Sequence, residues 1–114
     1  MQTEMTAHEI LVAARAKIAD EKNWLVSGPT RDTNGKRVYS DDPTARKFSV
    51  DGAVNSIEYL SVEASGAMCE ISLSARDLYG VGIDEVSRTV GHAAILKCFD
   101  HAIERTKQSE GGVR

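Results

Sequence analysis

The sequence predicts a mainly α, small single-domain bundle of about four helices, with a short β-hairpin or irregular loop at 24–40. Three observations carry that prediction. Apolar residues recur three or four positions apart over several stretches, which is the period of a helix that buries one face. Aromatics make up only 5% of the chain, so the core must be aliphatic side chains and alanine, which suits closely packed helices. The 114 residues suffice for one modest core and are too few for two domains.

The first helix begins at Thr6 or His8. Ala7, Ile10, Leu11, Ala14, Ile18 and Ala19 form its apolar stripe, with Glu9, Arg15, Lys17 and Asp20 between them. Thr6 and Glu9 fit a capping box, in which each side chain reaches the other's free backbone N–H. The helix is expected to end near Lys22 or Asn23.

A break follows from Asn23 to Asp42. Gly28-Pro29 and Asn34-Gly35 are turn signals. The extended pieces Trp24–Ser27 and Arg37–Ser40 are candidates to pair as a hairpin. Asp42-Pro43 reads as the opening of a second helix, with Asp42 as N-cap and Pro43 at the first position, where no N–H is needed. Its stripe is Ala45, Phe48, Gly52, Ala53, Ser56, Ile57 and Leu60. Gly52 costs a helix about 1 kcal/mol relative to alanine. Close approach of the C-terminal helix is the expected return.

Ser65-Gly66 reads as a turn. Met68–Leu78 supports two readings, since Cys69, Ile71, Leu73 and Ala75 alternate as in a strand while Met68, Ile71, Ala75 and Leu78 share a helix face. No partner strand is in sight, and helix is taken. The longest helical run is Asp84–Lys107, with Val86, Val90, Ala93 to Leu96, Phe99, Ala102 and Ile103 as its stripe. Asp84 is its expected N-cap, and Gly111-Gly112 stops any continuation. The domain is thus expected over 1–107, with a flexible C-terminal tail at 108–114.

Net charge is -3 with both signs mixed, so no basic block marks a nucleic-acid binder. Met1–Ala7 is polar and does not read as a signal peptide. No apolar run approaches the roughly 20 residues of a membrane span. A cytoplasmic protein whose Cys69 and Cys98 are reduced thiols is expected; a disulfide would need them to meet.

Chemistry-bearing motifs are sparse. His92, Cys98, Asp100 and His101 are the ionisable cluster to weigh. Cys98 and His101 share a helix face, but there is no Cys-x-x-Cys or His-x-x-x-His pair, so no metal site is assigned. Asp100 points away from its neighbours on a helix, so a Cys–His–Asp triad fails locally. Gly80-Val81-Gly82 lacks the third glycine and preceding strand of a phosphate loop. No catalytic residue and no cofactor is assigned. The one local basic patch is Arg31, Lys36 and Arg37 beside Asn34-Gly35. With Trp24, Asp32 and Tyr39 it makes the candidate binding surface, because irregular loops on rigid helices often carry binding.

The order of features resembles a family of short uncharacterised proteins, a domain of unknown function found in bacteria, phages and other mobile elements. The carrying residues are Trp24, Asp32 with Gly35, Ala45, Gly52-Ala53, Asp84 with Val86, and Ala102-Ile103. The chain departs from the family at Phe48-Ser49, where members often carry a tryptophan-cysteine pair, and lacks an Asn-Asp pair before the last helix. The resemblance implies a helical domain of mobile-element origin and brings no activity. The expected function is non-enzymatic docking on another protein, as a phage or mobile-element accessory or counter-defence factor. A nucleotide-like small-ligand binder is the alternative, and a small enzyme using His92 or His101 the third. The wide apolar stripe leaves a homodimer open.

Overall fold

The computed structural model describes residues 5–59 and 61–112, with side chains described as far as Lys107. Leu60, and residues 1–4 and 113–114 of the two ends, lie outside the described residues. Among the described residues, five α-helices and a two-stranded sheet make one mainly helical domain. No helix among the described residues is long and apolar enough to cross a membrane.

Helix α1 spans Ala7–Ile18. The capping box is formed: the Thr6 hydroxyl accepts the Glu9 N–H at 3.1 Å, and the Glu9 carboxylate accepts the Thr6 N–H at 2.9 Å. The helix stops short of the expected Lys22 because Asp20 starts a new turn, its carboxylate accepting the Lys22 N–H at 3.1 Å. A single 3-10 turn, Glu21–Asn23, follows.

The expected hairpin between Trp24–Ser27 and Arg37–Ser40 does not form. Strand β1, Arg31–Asp32, pairs antiparallel with β2, Ala45–Lys47. Trp24 makes a parallel bridge to Phe48, and Arg37 an antiparallel bridge to Arg31. The reason lies at Asp32, whose carboxylate oxygen accepts the N–H groups of Asn34 and Lys36, each at 2.9 Å. With Gly35 at φ +86°, the chain reverses within five residues and Arg37 returns to its near neighbour.

Asp42-Pro43 does not open the second helix either. The Asp42 carboxylate is occupied by the Thr44 amide at 2.8 Å and the Thr44 hydroxyl at 2.6 Å, a local turn that leaves the chain extended into β2. Helix α2 begins later, at Val50–Ile57, where the Ser49 hydroxyl accepts the Gly52 N–H at 3.2 Å. It packs on α1 and on helix α3, Val62–Tyr79, rather than under the C-terminal helix. The close approach at Gly52 is to the loop: a β-carbon there would lie 2.6 Å from the Thr30 hydroxyl oxygen.

Met68–Leu78 is helical, as its shared face predicts, and lies within α3. The expected Ser65-Gly66 turn is absent, since Ser61 caps α3 upstream by accepting the Ala64 N–H at 2.9 Å. The helix ends at Gly80, which is left-handed at φ +76°.

The long C-terminal run is two helices, α4 at Ile83–Thr89 and α5 at His92–Gly112. Gly91 at φ +115° breaks them, and the Val90 and Gly91 N–H groups both close on the Val86 carbonyl, at 2.9 and 3.0 Å. Val90 is therefore exposed instead of lying in a continuous stripe. Gly82, not Asp84, occupies the N-cap position, and Asp84 sits in the first turn. The α5 backbone stays helical through 108–112.

The core joins all five helices. Ile10, Leu11, Ala14 and Ile18 of α1 meet Ala53 and Val54 of α2, Ala67, Ile71 and Ala75 of α3, Val86 of α4, and Ile95, Cys98, Phe99 and Ala102 of α5. Small residues dominate the α3 face, which lets α1 and α5 approach it closely. The loop 24–48 lies against this body through Trp24, Val38 and Phe48.

Candidate functional site

The loop is braced before it presents anything. Arg31 is turned inward, its guanidinium donating to the Gly35 carbonyl at 2.8 Å. Asp32 holds the 32–36 turn closed from the other side. Val38 donates its N–H to the Thr30 carbonyl at 3.0 Å, and the Thr30 and Ser40 hydroxyls meet at 2.7 Å. Thr30 is buried, so the loop's base belongs to the folded body.

On this frame Lys36, Arg37 and Tyr39 line one groove of about 560 Å³, with Pro29, Thr30, Val38, Ser40, Asp42 and Tyr59. Tyr39 is 77% exposed and Tyr59 53%. Two cations and two phenol rings thus share one concave surface. Asp42 stands at its edge, and the Thr44 hydroxyl and then the Thr44 amide hold its carboxyl below the usual carboxylate range.

Of the six sequence candidates, the structure brings Lys36, Arg37 and Tyr39 together. Arg31 and Asp32 serve the turn beneath them. Trp24 lies elsewhere, half-buried, its ring 5.3 Å from that of His92 between centroids and tilted by 46°. Its indole Nε1 is buried without a hydrogen-bond partner among the described residues. Sequence reasoning missed Tyr59. The available signal was a tyrosine lying outside the apolar stripe of the second helix in a chain with few aromatics.

The ionisable cluster on α5 is dispersed among different neighbours. His92 Nε2 lies 2.7 Å from the Ile18 carbonyl oxygen. His101 Nδ1 lies 2.9 Å from the hydroxyl of buried Ser74. Asp100 pairs with Arg15, Oδ1 to Nε at 2.7 Å. Cys98 is fully buried and Cys69 exposed, and both are free. Burial pushes the Cys98 thiol up to about 11. Among the described residues, no group of three or more His, Cys, Asp and Glu could hold a metal ion.

A second cleft of about 540 Å³ lies between the starts of α2 and α4 and the side of α3. Its cation, Arg88, is tied to Glu85. Set against models of known protein families, curated proteins and solved structures, the chain matches none of them.

Proposed function

We propose that the chain is a non-enzymatic binding protein that docks on another protein through the groove along Lys36–Ser40 and Tyr59. One observation carries this reading: two exposed tyrosines share a groove with Lys36 and Arg37, which stand on a loop braced by the hydrogen bonds of Asp32 and Arg31. Tyrosine and arginine are the types whose loss most often costs an interface its affinity. A braced loop loses little further entropy when it binds. The family resemblance extends the proposal to a cytoplasmic accessory or counter-defence factor of a phage or mobile element, with a host protein as partner.

The test places a photo-crosslinking amino acid at Tyr39 and, separately, at Tyr59 and exposes each protein to host lysate. One shared protein adduct is expected from both positions, lost when Lys36→Glu/Arg37→Glu is added. No common adduct, or an adduct indifferent to the charge reversal, would count against docking here.

The second reading is a nucleotide-like ligand in the same groove. Its volume, about 560 Å³, falls in the range of small-molecule sites. A tyrosine ring would stack on the base, and Lys36 and Arg37 would meet the phosphate. Thermal shift against a nucleotide panel decides it, since a tight ligand raises Tm by linkage. A flat panel removes it.

A further inference from the structure

We infer that the partner presents an acidic segment in extended conformation, which adds as a strand to the outer edge of residues 36–39. This inference rests on the docking reading and specifies the partner.

The pairing geometry of the loop carries it. Arg31 and Arg37 face each other across an antiparallel bridge. The flanking bonds run from the Asp32 N–H to the Lys36 carbonyl at 2.9 Å and from the Val38 N–H to the Thr30 carbonyl at 3.0 Å. In an antiparallel ladder, a pair flanked in this way makes no bonds to its partner. Its own N–H and C=O groups point to the opposite sides. Those of Arg31 therefore face β2, and those of Arg37 face outward. No described group bonds the Arg37 N–H or C=O, nor the Tyr39 N–H two residues on. The groove follows this edge, since five consecutive residues, Lys36 to Ser40, line it. An open strand edge beside a groove is the arrangement that accepts an added strand.

Charge then selects the strand. The chain carries -3 overall, yet the charged side chains along residues 36–40 are the cations Lys36 and Arg37, with Asp42 the one anion of the groove lining and already engaged by Thr44. A second copy of the same edge would set cations against cations, which disfavours self-pairing. An acidic strand meets them with opposite charge. Arg37 and Tyr39, two positions apart, both line the groove, as alternate residues along a strand edge share one face. The complementary strand should carry an aspartate or glutamate opposite Arg37 and an apolar or aromatic residue two positions away, opposite Tyr39.

The experiment selects a displayed random-peptide library on the intact protein and measures the winners by calorimetry. Selected peptides are expected to alternate acidic and apolar residues. Lys36→Glu/Arg37→Glu should weaken them at least tenfold, and raised salt should weaken them progressively. N-methylation of the peptide amide that pairs with the Arg37 carbonyl should cost at least tenfold, while N-methylation of an outward amide should cost little. Circular dichroism checks that each variant folds. Winners lost in Tyr39→Ala/Tyr59→Ala that carry no acidic excess, or that tolerate N-methylation throughout, overturn strand addition and leave the docking surface standing. Winners indifferent to the two tyrosines overturn the docking surface as well, and a selection without winners overturns the inference.

Discussion

Gly52 and Thr30 meet so closely that a β-carbon on Gly52 would lie 2.6 Å from the Thr30 hydroxyl oxygen. The helix start and the loop base therefore share a space that only glycine leaves open. Thr30 is 4% exposed, and its hydroxyl is 2.7 Å from that of Ser40, so turning aside would break that bond. Alanine ordinarily favours a helix over glycine by about 1 kcal/mol. Here Gly52→Ala should instead destabilise by about 1–3 kcal/mol, the usual range for overpacking. Thr30→Ala should recover part of that loss when combined with it. Urea unfolding of the two single variants and the double gives the coupling. Strict additivity would mean that the contact is not the cause.

His92 joins the loop to the helical body. Its ring lies 5.3 Å from the Trp24 ring, and its Nε2 is 2.7 Å from the Ile18 carbonyl oxygen at the end of α1. Removing it leaves that carbonyl without this partner and one side of the indole bare. His92→Ala should cost about 1–3 kcal/mol. Trp24 is the single tryptophan, so its emission reports the site without labelling. The native emission of His92→Ala should move to longer wavelength. An unchanged spectrum would show that the histidine does not shield the ring.

The start of the first helix was legible because its signal is local: Thr6 and Glu9 close a box within four residues, whereas its end was hidden because Asp20 opens a new turn where the apolar spacing still continues. Within α3, Met68–Leu78 was legible for a related reason, since helix needs no partner and a strand does, but its first turn was not, because Ser65-Gly66 carries a turn signal that the Ser61 cap overrides. The break at Gly91 was hidden because α4 and α5 each continue the apolar period, so Val86 and Ala94 look like one stripe. Asp42 misled for the opposite reason. Its chemistry does cap a turn, but Thr44 satisfies it within two residues and no helix follows. In the loop, Lys36, Arg37 and Tyr39 were readable as exposed binding types. Arg31 and Asp32 read as binding types in the same way, and only the reversal at Gly35 shows that they serve the backbone. Tyr59 reaches the groove across the fold, which no local pattern encodes.

The two thiols should behave as different chemical species. Cys69 is exposed, and Cys98 is buried with its thiol pushed from 9.0 up to about 11. One equivalent of a thiol reagent should react quickly with the native protein and a second only on unfolding. An unfolded chain that loses the proton near 9.0 while the fold keeps it to about 11 binds fewer protons than the native state. Stability should therefore fall as pH rises across that window, by roughly 2–3 kcal/mol at its end. Cys98→Ala lacks this group, so its stability deficit relative to the parent should shrink as pH is raised through the window. A deficit constant with pH would contradict the buried protonated thiol.

Asp32 offers a way to disable the groove without touching its lining. One of its two carboxylate oxygens, Oδ1, accepts both the Asn34 and the Lys36 N–H groups, and with them fixes where Lys36 and Arg37 stand. Asp32→Ala removes both bonds and should cost about 1–2 kcal/mol. Its larger effect should be on order. The Asn34 and Lys36 amides, protected in the parent, should exchange with deuterium at least tenfold faster, while the α1 and α3 amides stay slow. Asparagine keeps an oxygen in the same place and should restore much of the protection, because the bonds need an acceptor and not a charge. Binding in the groove should follow the exchange pattern, lost in the alanine variant and largely kept in asparagine. Were alanine and asparagine to behave alike, the negative charge and not the turn would be what Asp32 supplies.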